Sequence, residues 1–229
     1  MLKKMIVIIT CLLSLFLIYK INYNDKKDYL ALGDGLAKGV TYYNAYGLGY
    51  SDYLSNYLEE EKKLKTFNKT FTYNHISIDD FQNIIKRNKC NIVKGKKECI
   101  HESIKNAEVI TVSIGNNEIS EILKNYNYNE ETKKLLDEII NKINKTMDLL
   151  NKYSETKIYL IGFYSYGNKD NDKIIKYIDS KLETNNKYKY IKISQLFNKN
   201  ITFLPNVYEN YPSQTAYQKI AQIIVKEIK

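Results

Sequence analysis

The sequence predicts a three-layer α/β/α sandwich built on a five-stranded parallel sheet, preceded by an N-terminal membrane helix. Two observations carry the prediction. Strand-like and helix-like patterns alternate from Asp28 to the C-terminus, and the turns at Gly33, Gly115 and Gly162 each close an apolar strand pattern. Composition adds a third: 229 residues, 44% hydrophobic, with nine Gly and two Pro, describe one globular domain plus an appendage. A domain of that size buries roughly 70% of its unfolded surface, enough for a core without metals or cross-links.

Residues 1–21 read as a signal anchor or transmembrane segment. Lys3 and Lys4 precede an uncharged apolar run from Met5 to Tyr19, which Lys20 closes. At ~1.5 Å per residue the run reaches roughly 22 Å, short of the ~30 Å hydrocarbon core unless Lys20 snorkels and Ile21 joins it. Tyr19-Lys20-Ile21-Asn22-Tyr23 offers no small-residue cleavage pattern, which favours an uncleaved anchor over a removed signal peptide. Cleavage would leave the domain secreted. Lipid attachment at Cys11 is a further alternative, against which stand the poor lipoprotein box Ile8-Ile9-Thr10 and an apolar run that continues past the cysteine. Residues 22–27 form a tether and 28–229 the domain. Lys26 and Lys27 follow the run as Lys3 and Lys4 precede it, so the positive-inside rule only leans toward the expected extracytoplasmic location.

Along the domain, Asp28–Leu32 is a short strand running into Gly33-Asp34-Gly35. Tyr50, Tyr53, Leu54, Tyr57 and Leu58 have helical spacing within Tyr50–Glu61. Thr66–Tyr73 alternates as a strand, and Ser77-Ile78-Asp79-Asp80 is a helix start ahead of Phe81, Ile84 and Ile85. Glu108–Ile114 reads as a buried strand ending in Gly115-Asn116-Asn117. A long helix spans Glu130 to about Tyr153, with Leu136, Ile140, Ile143, Met147 and Leu150 on one face. A strand at Lys157–Phe163, a helix at Asp170–Leu182, a strand at Tyr190–Ile193 and a helix at Ser213–Ile228 complete the chain. Ligands of such sheets sit beyond the carboxyl ends of the strands.

Charge limits the partners. Lys plus Arg number 35 against 26 Asp plus Glu, a net charge of +9, and Arg87 is the only arginine. Lysine lacks the bidentate fork that reads bases, so no nucleic-acid partner is expected. The basic balance suits an anionic or glycan ligand of the cell envelope, or a merely solvated lysine face. No His, Cys or Asp cluster has metal-ligand spacing and no glycine fingerprint for nucleotides is present, so neither metal nor cofactor is expected. The 22 tyrosines would suit sugar stacking, although a Lys-, Asn- and Ile-rich composition accounts for most of them.

Four short motifs, in order, resemble those of the SGNH or GDSL hydrolases, serine esterases and lipases with a flavodoxin-like fold. Leu32-Gly33-Asp34-Gly35-Leu36 is similar to the first block, where members carry Gly-Asp-Ser-Leu. Gly49-Tyr50 resembles the second, whose glycine amide helps bind the oxyanion, and Gly115-Asn116-Asn117-Glu118 the third, a Gly-x-Asn-Asp turn whose Asn is the other oxyanion donor. Tyr211-Pro212-Ser213, with Ala216-Tyr217 and Ile220-Ala221, resembles the last, usually His-Pro-x-x-x-Gly-Tyr-x-x-Ile-Ala with an Asp three residues before the His.

The resemblance implies the fold but not the chemistry. Acylation by that route needs a hydroxyl, a base and an orienting carboxylate. At the matching positions stand Gly35, Tyr211 and Tyr208. A tyrosine phenol, with a reference pKa near 10, is a poor base at neutral pH. Asp34, Gly35, Gly49 and Asn117 remain as a ligand-binding or residual oxyanion site. Asp34 is expected to bond backbone amides in its own turn, with water activation the alternative. His75 should lie near the carboxyl edge as a surface or capping group or a relocated base, His101 far from it. Ser51, Ser77, Ser113 and Ser165 are expected to cap or pack. The expectation is a membrane-anchored, extracytoplasmic pseudoenzyme acting as a binding or scaffolding module, the alternative an esterase, lipase or deacetylase with a rearranged site.

Cys90 and Cys99 lie in a basic stretch between two predicted helices and are the only cysteines after the anchor. An oxidising location permits them to pair across a turn at Gly95; unpaired thiols are the alternative.

Overall fold

Alternation within a single strand sets the layers. In β1 (Lys27–Gly33), Leu30 and Leu32 face one side of the sheet and Tyr29 and Ala31 the other, and all four are buried. A strand buried on both faces needs helices on both. The computed structural model describes residues 26–93, 95–165, 169–197, 201–205 and 211–228. The expected membrane segment and Tyr208 lie outside them.

Around β1 the sheet adds β2 (Leu64–Asn68), β5 (Val109–Ser113), β6 (Ile158–Ile161) and β7 (Lys189–Ile191), in the order β2-β1-β5-β6-β7, all parallel. The strand order reverses between β1 and β5, the switch point at which such sheets open a crevice. Two strands outside the sheet, β3 (Cys90–Val93) and β4 (Lys96–Cys99), form an antiparallel hairpin.

Nine helices of the described residues surround the sheet. In chain order they are α1 (Gly35–Lys38), α2 (Tyr50–Glu60), α3 (Ile78–Lys86), α4 (Ile100–Asn106), α5 (Asn116–Asn125), α6 (Glu130–Asn151), α7 (Lys169–Leu182), α8 (Ser194–Phe197) and α9 (Gln214–Ile228). One core joins Leu30, Leu32, Ile110, Val112 and Leu160 to α3, α6 and α7. The other joins Tyr29, Ala31 and Ile161 to α2 and α9. Helix starts follow local chemistry: the Ser77 side chain accepts from the Asp80 amide at α3, and Asn129 from the Thr132 amide at α6. Among the described residues no helix is long and apolar enough to cross a membrane.

The structure departs from the sequence pattern at three places. The second strand stops at Asn68 instead of reaching Tyr73, because the Asn68 side chain accepts from the Thr70 amide and the Lys69 carbonyl from Thr72, turning the chain. Only an isolated bridge, Gly33 to Thr72, resumes the pairing. Helix α5 occupies what reads as a bare turn. The stretch around the cysteines is the β3–β4 hairpin, and His101 lies inside α4, stacked on Tyr153 with ring centroids 3.6 Å apart.

Cys90 and Cys99 face each other in the hairpin register and are bonded. With a sequence separation of 9, the bridge closes a short loop. On the chain-entropy model it contributes about 2.5–3 kcal/mol. Replacing both cysteines by serine should lower the unfolding free energy by about that amount, read from urea denaturation, and reductant should shift wild type but not the variant.

Candidate functional site

The site begins where β1 ends. Gly33 has φ +111°, and a Cβ there would stand 1.8 Å from the Ser113 carbonyl oxygen, so only glycine fits. That approach brings the Asp34 amide to the Ser113 carbonyl at 2.8 Å and turns the Asp34 side chain inward across the ends of β1 and β5. Its Oδ1 accepts from the Leu36 amide (3.1 Å) and the Ser113 hydroxyl (2.7 Å). Its Oδ2 accepts from the Asn116 side chain (2.7 Å) and amide (3.3 Å). The residue is 1% exposed. Burial pushes its carboxyl up to about 6, against the downward pull of the bonds from Asn116, Ser113 and Leu36.

At Gly35, which follows Asp34, the ring of Tyr211 occupies the place of a side chain. A Cβ at this position would lie 2.5 Å from the Tyr211 Oη and 2.8 Å from Cε1. The ring is held: Tyr211 is buried, its hydroxyl donates to Asn74 Oδ1 at 2.8 Å, and His75 stands edge-on with centroids 6.5 Å apart. The two positions that in the resembling family hold nucleophile and base are thus filled by one packing contact.

Beside that contact a cleft of about 530 Å³ stays open, within the size range of small-molecule sites. Asp34, Gly35, His75 and Tyr211 line one end. Asn116, Asn117, Ile119, Ser120, Glu121 and Lys124 line the α5 side, with Phe163 and Tyr164 beyond β6. A cleft filled by the two tyrosines, Tyr208 and Tyr211, would have favoured a structural role; among the described residues Tyr211 fills the Gly35 corner, and Tyr208 lies outside them.

The expected oxyanion donors fare differently. Asn117 lines the cleft, and one of its side-chain N–H groups donates to the Ile76 carbonyl at 2.9 Å. Gly49 caps α2, its amide donates to the Asp52 carboxylate at 2.8 Å, and it is not among the described residues that line the cleft. Among the expected serines, Ser113 bonds Asp34 and accepts from the Ala37 amide, Ser51 donates to the Ala37 carbonyl, Ser77 caps α3 and Ser165 bonds Asp172. No group of metal-binding side chains occurs among the described residues.

Two residues escape the sequence pattern. Ser120 brings a hydroxyl to the cleft that also holds His75, with no hydrogen bond between them among the described residues. Glu118 Oε1 accepts from the Ile78 amide at the start of α3 at 2.8 Å, while Oε2 is buried without a partner. Recognising either requires knowing that Asn116 opens a helix.

Two outcomes follow from this geometry. Gly35→Ser should cost about 1–3 kcal/mol by overpacking against Tyr211. In a Tyr211→Ala background the cost should fall, giving at least about 1 kcal/mol of coupling in a double-mutant cycle. For Asp34, the folded value lies above the unfolded one, so the native state holds an extra proton between about pH 4 and about pH 6. Its linked stability is complete below that window and lost as pH rises through it. The stability of wild type relative to Asp34→Asn, from urea unfolding, should therefore fall by roughly 2–3 kcal/mol between about pH 4 and about pH 7.

No protein-family model and no curated protein matches the chain. Solved structures do. The lipase Lip_vut3 from a goat rumen metagenome superposes with a TM-score of 0.69 at 16% identity, over 86% of this chain and 95% of that one. A member of the lipolytic protein G-D-S-L family from Veillonella parvula gives a TM-score of 0.58 at 13% identity, over 86% and 96%. A family 3 carbohydrate esterase from Clostridium thermocellum gives 0.52 at 17%, over 86% and 92%. With this sheet order, this crevice and these neighbours, the chain has the fold of the SGNH/GDSL lipases and esterases.

Proposed function

We propose that the domain is a ligand-binding pseudoenzyme on the SGNH hydrolase scaffold, held at the extracytoplasmic face of a membrane by its N-terminal segment. The observation that carries this reading is the ring of Tyr211 on Gly35. The turn that would present a nucleophile has no side chain, and the space above it is occupied. Beside it the cleft keeps amide and aromatic groups: Asn116 and Asn117 on one wall, Phe163 and Tyr164 on the other. Such a set suits a neutral or weakly anionic polar ligand, with a sugar or acyl ester the class suggested by neighbours named as lipases and a carbohydrate esterase. Anchoring is argued from the apolar run Met5 to Tyr19 and the short tether after it.

A second reading rests on Ser120 and His75, which line the same cleft and would make a displaced nucleophile and base. One experiment separates the two. The full-length protein, incubated with a fluorophosphonate serine probe and with short-chain esters, should show neither an added mass nor turnover above the uncatalysed rate. Stoichiometric labelling that is lost in Ser120→Ala would establish the rearranged enzyme instead.

A further inference from the structure

The parallel sheet gives the domain two unlike ends. Every strand starts at one edge and finishes at the other, where the cleft lies. At the starting edge Lys62, Lys63, Lys105, Lys152 and Lys157 are exposed in the connections that enter β2, β5 and β6, and none forms an ion pair among the described residues. Other lysines of this edge are already neutralised: Lys27 by Glu108, Lys65 by Asp28, Lys187 by Asp148 and Lys189 by Glu227. Lys226, exposed in the last turn of α9, adds to the cations of this edge, which Glu59, Glu60, Glu61 and Glu155 offset only in part. At the cleft edge the lysines stand among acids: Lys124 with Glu121 and the buried Asp34 in the cleft lining, and Lys169 with Asp170 and Asp172 in the first turn of α7.

The chain enters the fold at the same basic edge. Lys27 opens β1, and its amide donates to the Lys63 carbonyl at 2.6 Å. Residues 22–26, which separate β1 from the apolar segment, reach at most about 18 Å when fully extended. We propose that this lysine-rich edge docks on an anionic lipid surface, so that the domain stands on the bilayer by the starts of its strands and the cleft opens away from it. The proposal rests on the anchoring described under Proposed function and adds the orientation. β1 has seven residues, and at ~3.3 Å each they set the cleft floor roughly 20 Å farther from the lipid than Lys27. The ligand of the cleft is therefore taken from the envelope side and not from the membrane that carries the protein. Lysine ammonium groups near an anionic surface are attracted within about a Debye length, so the contact is salt-sensitive.

The test uses the full-length chain in nanodiscs of phosphatidylglycerol or of phosphatidylcholine, with lysine acylation mapped by mass spectrometry. In phosphatidylglycerol at low salt, Lys62, Lys63, Lys152 and Lys157 should react roughly fivefold more slowly than in phosphatidylcholine, and recover at high salt. Lys124 and Lys169, at the cleft edge, should react equally in both. Equal labelling of the four lysines in the two lipids would overturn the docking while leaving the anchor intact. Protein that enters neither disc would overturn the anchor and the docking with it. Protection of Lys124 and Lys169 instead would show the opposite orientation. As a second arm, reversal of the four lysines to glutamate should abolish the lipid difference without changing the melting temperature, since all four are exposed; a lipid difference that persists at the remaining lysines of this edge would equally overturn the proposal.

Discussion

The carboxyl edge of this protein is assembled around one buried carboxylate. Asp34 joins the turn after β1 to the end of β5 and the start of α5, through Leu36, Ser113 and Asn116. The arrangement is possible only because Gly33 lets two backbones meet where any side chain would collide with the Ser113 carbonyl. Burial works against the charge of the carboxylate while four donors stabilise it, a balance in which the site gains rigidity at some expense of stability at neutral pH.

On this framework one corner of the crevice is packed by a side chain, while the residues that line the remainder come from other elements. The Tyr211 ring occupies the space over Gly35 and is tied to Asn74, which in turn reaches Asn44 of the loop after α1. Tyrosine therefore does here what a packed core residue does: it fills volume and satisfies its hydroxyl. Among the described residues the rest of the crevice is open, and its walls come from different elements, α5 on one side and the end of β6 on the other. On the function proposed above, recognition along the crevice survives the loss of a reaction at its corner because the two depend on different residues.

Most of the architecture was legible in the sequence, and the reason is periodicity. Val109, Ile110 and Val112 in β5, and the stripe from Leu136 to Leu150 in α6, leave little choice of partner or face. Gly35 and Tyr211 were legible as positions through the resemblance of Gly33-Asp34-Gly35-Leu36 and Tyr211-Pro212-Ser213 to the first and last motif blocks of the SGNH hydrolases. Helix α5 was not, since Asn116 and Asn117 are poor helix formers and its helical state depends on the packing of Ile119, Ile122 and Leu123. Glu118 and Ser120 were hidden with it. The β3–β4 hairpin was hidden by polarity, its Ile92 being 80% exposed. At Gly49 the sequence held a signal that was not used: Asp52, three residues on, is placed to accept from the amide of the residue before the helix, as it does here at 2.8 Å.

The position of β1 in the sheet has a mechanical side. It is an inner strand, paired with β2 over Lys27–Leu30 and with β5 over Tyr29–Gly33, and it is the strand through which the chain leaves toward its N-terminus. Tension applied there runs along the strand axis and loads the hydrogen bonds of two parallel ladders together, in shear, instead of opening them one after another. On the anchoring proposed above, a pull on the N-terminal segment would be borne by a strand buried on both faces of the sheet, at the end of the domain away from the crevice.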